Sequence, residues 1–245
     1  MQPDIRVDDP TLPAALAAHL ALWLGQWPPI GPLDVTGTDR RAKPGWDGVV
    51  CPVLGVAGPG GAVLSVAPDR VLAVRELVAA GGREALRTEL AATIGAPRLW
   101  YSDRVFRWCT EPSLLPDVGC WVTPDTPGLP TWLRSFRGQV LVAQDESGNH
   151  LAGVGIKRHD RYGHELSVVT SRRGRGRGLA RRLVAQAARR VLAEGAVPTY
   201  IHATDNIPSA RVALAAGFVD RGWTLCRLNP PPSLNDRIRT LLERL

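Results

Sequence analysis

The sequence predicts a chain of the α/β (α+β) class, a mixed sheet flanked by helices, and three observations carry that prediction. First, a β-branched run (Val168, Val169, Thr170) breaks into an Arg/Gly turn and then into a helical segment. There Leu179, Leu183, Val184, Ala187, Ala188, Val191 and Leu192 recur at three- and four-residue steps and mark one buried face. Second, three strand-like runs precede it, Gln139 to Gln144, His150 to Lys157 and His164 to Thr170. The short turns between them, Glu146 to Asn149 and Arg158 to Gly163, suit antiparallel neighbours. Third, the first half also mixes strand and helix patterns and reads as a small α/β unit with no catalytic cluster.

Taken in order, Ala14 to Trp23 has helical spacing, and Pro28, Pro29, Pro32 and the polar stretch to Pro44 read as loop. The runs VVCPVLGVA from Val49 and AVLSVA from Ala62 read as strands around a turn at Gly58 to Gly61. Helical stretches at about Asp69 to Ala80 and Arg83 to Ile94 are separated by Gly81-Gly82, and Leu99 to Cys109 reads as a strand. Five prolines make 110–130 a candidate interdomain connection, the plainer alternative being a long surface loop. A short helix is expected near Leu129 to Phe136. After the arginine-rich helix, which Gly195 is placed to cap, come a strand at Thr199 to Ala203, a helix at Ser209 to Ala216 and a strand at Phe218 to Leu228. Leu234, Ile238, Leu241, Leu242 and Leu245 form an apolar stripe on a terminal helix that packs on its own domain or on a second copy in a homodimer. The expected organisation is 1–112, an N-terminal α/β region, 113–230, a second domain, and 231–245, a terminal amphipathic helix.

Composition excludes several classes. At 245 residues, 44% hydrophobic and 22% charged, the chain is globular in type. No apolar run is long enough to span a bilayer and the first residues lack a signal-peptide pattern, so the expectation is a cytoplasmic protein with no membrane partner. Cys51, Cys109, Cys120 and Cys226 form no CxxC pair and read as buried small hydrophobes; no metal site is expected. The eight Trp read mostly as core or cleft wall.

Charge is concentrated on the arginine-rich turn and helix. Residues 168–195 hold eight Arg and one Glu, a net +7 that equals the excess of the entire chain. Glycines let backbone approach a phosphate closely, and the first amides of a helix lack intrahelical partners. Positive charge confined to one turn and its helix suits a small polyanion better than nucleic acid, which is met by charge spread along a groove. Arg172 to Gly178 does look like an RGG segment, but such segments belong to low-complexity tails, so no nucleic-acid partner is expected.

Arg175-Gly176-Arg177-Gly178-Leu179-Ala180 fits an Arg-x-x-Gly-x-Gly/Ala pattern, and Arg173 to Gly178 fits it two residues earlier; the later frame runs straight into the helix. Farther on, Asn206-Ile207-Pro208-Ser209 leads through a short helix to Gly217-Phe218. Together, in this order, these segments resemble the two coenzyme-binding elements of the GNAT superfamily of N-acetyltransferases. The resemblance covers about Gly119 to Leu228 and implies a GNAT-type mixed, mostly antiparallel sheet flanked by helices. The N-terminal region is open to reading as a degenerate second copy, since some relatives carry two.

The resemblance further implies acetyl-CoA as co-substrate and transfer of the acetyl group to a primary amine by direct attack. Backbone groups of Val168, Val169 and Thr170 would pair with the pantetheine arm. The amides from Gly176 to Ala180, those of Gly178 and Leu179 among them, would hold the pyrophosphate, with Arg175 and Arg177 adding charge, and Asn206 would bind the coenzyme as part of the second element. The family often places a carboxylate base on the strand before the turn, where His164 and Glu165 stand; alternation puts the two on opposite faces, with Glu165 preferred. Their plainer readings are a salt-bridge partner and a hydrogen-bonded strand residue. A Tyr that protonates the leaving thiolate in many relatives is Ala213 here, which leaves His202, Ser209, Tyr200 or water as replacements. That departure also leaves open a catalytically weak acyl-CoA sensor or scaffold. The acceptor, a small-molecule or peptide amine, and the length of the acyl chain stay open.

Overall fold

The computed structural model describes residues 12–230, which form five helices and ten strands. In chain order these are α1 (Ala14–Leu24), β1 (Leu33–Gly37), β2 (Val53–Gly58), β3 (Gly61–Val66), α2 (Val71–Thr93), β4 (Trp100–Trp108), β5 (Cys120–Val122) and α3 (Thr131–Arg134). The chain continues through β6 (Val140–Gln144), β7 (His150–Arg158), β8 (Gly163–Thr170), α4 (Leu179–Ala193), β9 (Val197–Ala203), α5 (Ile207–Ala215) and β10 (Thr224–Asn229). The terminal stripe from Leu234 to Leu245 lies outside the described residues.

All ten strands join one sheet, in the order β1-β3-β2-β10-β4-β9-β8-β7-β6-β5. Pairing is antiparallel except at β1–β3 and β8–β9. The chain reaches β9 from β8 through α4, the crossover that a parallel pair requires. Strand β4 sits between β10 and β9, so residues before the proline-rich stretch supply a central strand to the sheet of those after it.

Registers and clusters assign the faces. Leu166 and Val168 of β8, Ile156 and Val154 of β7 and Tyr200 of β9 pack with Leu183, Val184, Ala187 and Val191 of α4. Helices α2, α4 and α5 cover this face. On the other, Leu16, Leu20, Trp23 and Leu24 of α1 pack on Phe106, Trp108, Val197 and Leu225, and α3 lies over β6 and β7. Glycines set the close approaches here: a Cβ at Gly163 would stand 2.1 Å from the His19 ring of α1, and one at Gly155 2.4 Å from the Phe136 ring.

The expected break at Gly81-Gly82 is present, the two helical stretches of α2 meeting at Gly82 with non-helical φ 59° and ψ −143°. Several boundaries differ from the sequence reading. Helix α5 begins two residues early because Asn206 caps it, accepting from the Ser209 amide at 3.0 Å, with Pro208 in the first turn. Strand β10 starts only at Thr224, after turns at Gly217 and Gly222 with φ of 102° and 73°. Cys120 is exposed, not buried, because β5 is a three-residue edge strand. Within 110–130, residues 113–119 are strapped to α4: Arg182 Nε donates to the Pro116 carbonyl, Gln186 bonds the Val118 and Gly119 backbone, and Arg189 donates to the carbonyls of Ser113 and Leu115 and to Asp117.

Candidate active site

The β8–β9 pair opens part-way along. Its register runs Gly163↔Val197, His164↔Pro198 and Glu165↔Thr199 and then stops, while β8 continues to Thr170 and β9 to Ala203. Each strand keeps its other neighbour: Leu166 to Thr170 stay paired with β7, and Thr199 to Ala203 with β4. The result is a fork whose inner edges carry backbone groups with no strand partner among the described residues. Val168 is half-buried against α4, Thr170 is half-buried, and Val169 is exposed.

At the end of β8 the chain makes a 3-10 turn at Arg172–Gly174, an extended Arg175, and left-handed glycines at Gly176 (φ 75°) and Gly178 (φ 70°) before α4. Gly174 is wedged on β7, where an added Cβ would stand 2.5 Å from the Leu151 carbonyl oxygen. Gly178 is the N-cap of α4, and no acidic side chain occupies the first turn. The amides of Leu179 and Ala180 are thus orphan donors at a positive helix end. This geometry favours the later of the two motif frames, with Gly178 at the cap and Ala180 inside the helix.

Not all of the arginine charge faces this turn. Arg182 and Arg189 hold the strap, while Arg190 pairs with Glu194, bonds Gln139 and lies 4.1 Å over the Trp121 ring. The turn itself carries Arg172, Arg173, Arg175 and Arg177, with Arg181 beside Gly178. A diphosphate matches this donor set of glycine-turn amides, helix N-terminus and cations.

His164 and Glu165 do project to opposite faces. His164 is buried on the α4 side, its Nδ1 3.6 Å from Glu194, and burial, with the Arg158 charge, lowers its pKa. Glu165 is the last paired residue before the fork and projects to the α1 face. Lys157, directly opposite on β7, donates to its Oε1 at 2.6 Å, and His159 Nε2 lies 3.1 Å from its Oε2. Burial alone would push the carboxyl up; the lysine charge and the histidine bond prevail and hold it at about 2.

Around Glu165 stand groups that sequence reasoning passed over. The His159 ring lies 4.6 Å from that of Trp23, and Lys157 lies 5.5 Å over Trp46. Trp23 also stacks on His19 of α1, which is fully buried and bonds Asp160 through Nδ1 at 2.8 Å. The Lys157–Glu165 pair was within reach of the sequence, since a hairpin turning at 158–163 sets those residues opposite each other. His19 and Trp23 were not, being brought in by a helix more than a hundred residues away.

The candidates on the other arm sit near the α4 and α5 face. His202 Nδ1 lies 2.8 Å from the Ala203 carbonyl, which accepts only, so Nδ1 carries the proton and Nε2 is left buried without a partner. Tyr200 Oη and Ser209 Oγ are 2.9 Å apart, and burial raises the tyrosine pKa. Ala213 is fully buried, and the Asn206 side chain is engaged as the α5 cap. Among the described residues no three His, Cys, Asp or Glu side chains gather as a metal site, and no helix is long and apolar enough to cross a membrane.

Residues 102–218 match the profile of the Acetyltransferase (GNAT) family. No curated protein matches the chain in sequence. Solved structures similar to it include an acetyltransferase of the GNAT family from Colwellia psychrerythraea, with 13% identity over 59% of this chain and 62% of that one, TM-score 0.43. Another, from the same family in Novosphingobium aromaticivorans, shows 24% identity over 54% and 66%, TM-score 0.45. A GCN5-related N-acetyltransferase-like protein from Streptococcus suis shows 17% identity over 72% and 83%, TM-score 0.47. The first two matches span less than two thirds of their relatives' length. Residues 102–218, which hold the fork, the glycine turn and Glu165, are the part of the chain that matches the GNAT acetyltransferase family.

Proposed function

We propose that the chain is an acetyl-CoA-dependent N-acetyltransferase that moves the acetyl group to a primary amine by direct attack. The observation that carries this is the fork opening immediately after Glu165 and Thr199, with the glycine turn and the α4 N-terminus at its far end. The turn amides and arginines would hold the diphosphate, and the unpaired edge of β8 would bond the pantetheine arm as an added strand. The thioester carbonyl is then aimed at the closed end of the fork, beside the Glu165 carboxylate.

In the transfer an N–C bond forms, the C–S bond breaks, the amine loses a proton and the thiolate gains one. Glu165, held at about 2, is too acidic to be an effective proton acceptor by itself. It orients the neutral amine and fixes the His159 ring, and that carboxylate-held imidazole accepts the amine proton. The thiolate, from a thiol of ordinary pKa about 8.5, takes its proton from the Tyr200–Ser209 hydroxyl pair or from the His202 ring. The same reading places the enzyme in the cytoplasm.

The buried Ala213 favours one second reading, an acyl-CoA sensor that binds and does not turn over. Isothermal titration with acetyl-CoA, followed by a free-CoA assay over a broad amine panel, tests both. Binding at about micromolar Kd that Gly178→Glu abolishes supports the enzyme's first step, because that substitution sets a bulky anion on a left-handed cap beside the diphosphate site. Absence of binding contradicts both readings; binding without thiol release with any amine selects the sensor.

A further inference from the structure

We propose that the acceptor amine also carries an anionic group, carboxylate or phosphate, held by the guanidinium groups of Arg104 and Arg227; this rests on the acetyltransferase reading above. The registers bring the two together. Arg104 faces Leu225 on β10 and Ala203 on β9, and Arg227 lies two residues beyond Leu225, so they are diagonal neighbours on one face. That face is the one Glu165 occupies: Glu165 is in register with Thr199, Thr199 with Trp108, and Arg104 is four residues from Trp108 on β4. Ala203, opposite Arg104, lies four residues past Thr199 on the opened arm, so the arginines border the mouth of the fork.

Both are half-buried, and neither has a hydrogen bond or ion pair among the described residues; the Nε atom of each is buried without a partner. Other cations inside this molecule have acceptors for their terminal nitrogens, although the Nε atoms of Arg41 and Arg107 are also buried without a partner. Arg107 bonds the Phe218 carbonyl and Asp220, Arg41 bonds the carbonyls of Trp23 and Cys51, and Lys157 holds Glu165. Two like charges side by side, partly desolvated and lacking acceptors, are unfavourable in the free protein. Burial and the Arg227 charge both act against the Arg104 cation, while Glu165, already engaged twice, and Asp205 favour it. A ligand oxyanion supplies the missing acceptors, and paired guanidinium forks fit carboxylate and phosphate oxygens. A substrate anchored there by its anion has its amine free to reach toward Glu165.

The test uses the full chain at saturating acetyl-CoA with matched acceptors: each L-amino acid against its C-terminal amide, and phosphoethanolamine against ethanolamine. Free-CoA release gives kcat/KM, and calorimetry gives the acetyl-CoA Kd. The expected result is a preference of about tenfold or more for the anionic member of at least one pair, the size of one charge-assisted hydrogen bond. Arg104→Gln and Arg227→Gln should each collapse that preference through KM and leave the acetyl-CoA Kd unchanged; Arg104→Lys and Arg227→Lys should restore part of it. Equal or better use of the neutral members by the wild-type chain overturns the inference whether or not the variants fold, as does a preference that the variants keep. Intact acetyl-CoA binding with turnover of neutral amines only overturns it alone; absent acetyl-CoA binding, or binding with no amine used, removes the acetyltransferase reading and the inference together.

Discussion

In the proposed mechanism Glu165 is central, and two opposing forces meet on it. Its position removes it from water, and Lys157 and His159 then hold it ionised. Glu165→Gln keeps the shape and removes the charge. It should lower kcat by about a hundredfold or more, because the His159 acceptor loses the bond that orients it, with little change in KM for acetyl-CoA. The melting temperature should also fall, since Lys157 loses its partner in a half-dry site. Linkage gives the sign for pH. A carboxyl lowered from 4.5 to about 2 contributes its stability in full above about pH 4.5 and loses it as pH falls toward 2, so the wild-type chain should lose that increment over this window and the Gln variant should not. Urea titrations of both at several pH values between 2 and 6 check it.

At the scale of elements, α1 shapes the active face. It docks on β8 because Gly163 has no side chain: the His19 ring occupies the space of its Cβ, and Asp160, which accepts the Tyr162 and Gly163 amides, fixes His19 by a third bond. Gly163→Ala should therefore cost about 1–3 kcal/mol in chemical unfolding through overpacking and, by lifting α1 with Trp23, raise acceptor KM more than acetyl-CoA Kd. Unchanged stability would mean that α1 is not seated as described. Most elements were legible because their signals are local: α4 by its apolar stripe, the β6–β8 meander by its turns, the kink in α2 by Gly82. Asn206, proposed as a coenzyme contact, caps α5 through its Oδ1, a role its spacing to Ser209 equally allows.

For the molecule as a whole, what sequence could not show is long-range pairing. Nothing local says that β4 lies between β9 and β10, yet that placement builds the arginine pair and carries one sheet through both halves. The tryptophans make the same point: Trp121 lies under Arg190 and Trp132 against Phe136, while Trp23 and Trp46, from the first half, stand beside His159 and Lys157. The excess positive charge likewise divides only in three dimensions, some of it strapping 113–119 to α4 and the rest lining the glycine turn. The central claim is that this turn and the fork together seat one coenzyme. A crystal structure of the chain with CoA tests it most directly. The account predicts diphosphate oxygens on the amides of residues 176–180, the pantetheine arm bonded along 166–170, and the sulfur at the fork beside Glu165; a coenzyme bound elsewhere, or a fork closed by continued β8–β9 pairing, would contradict it.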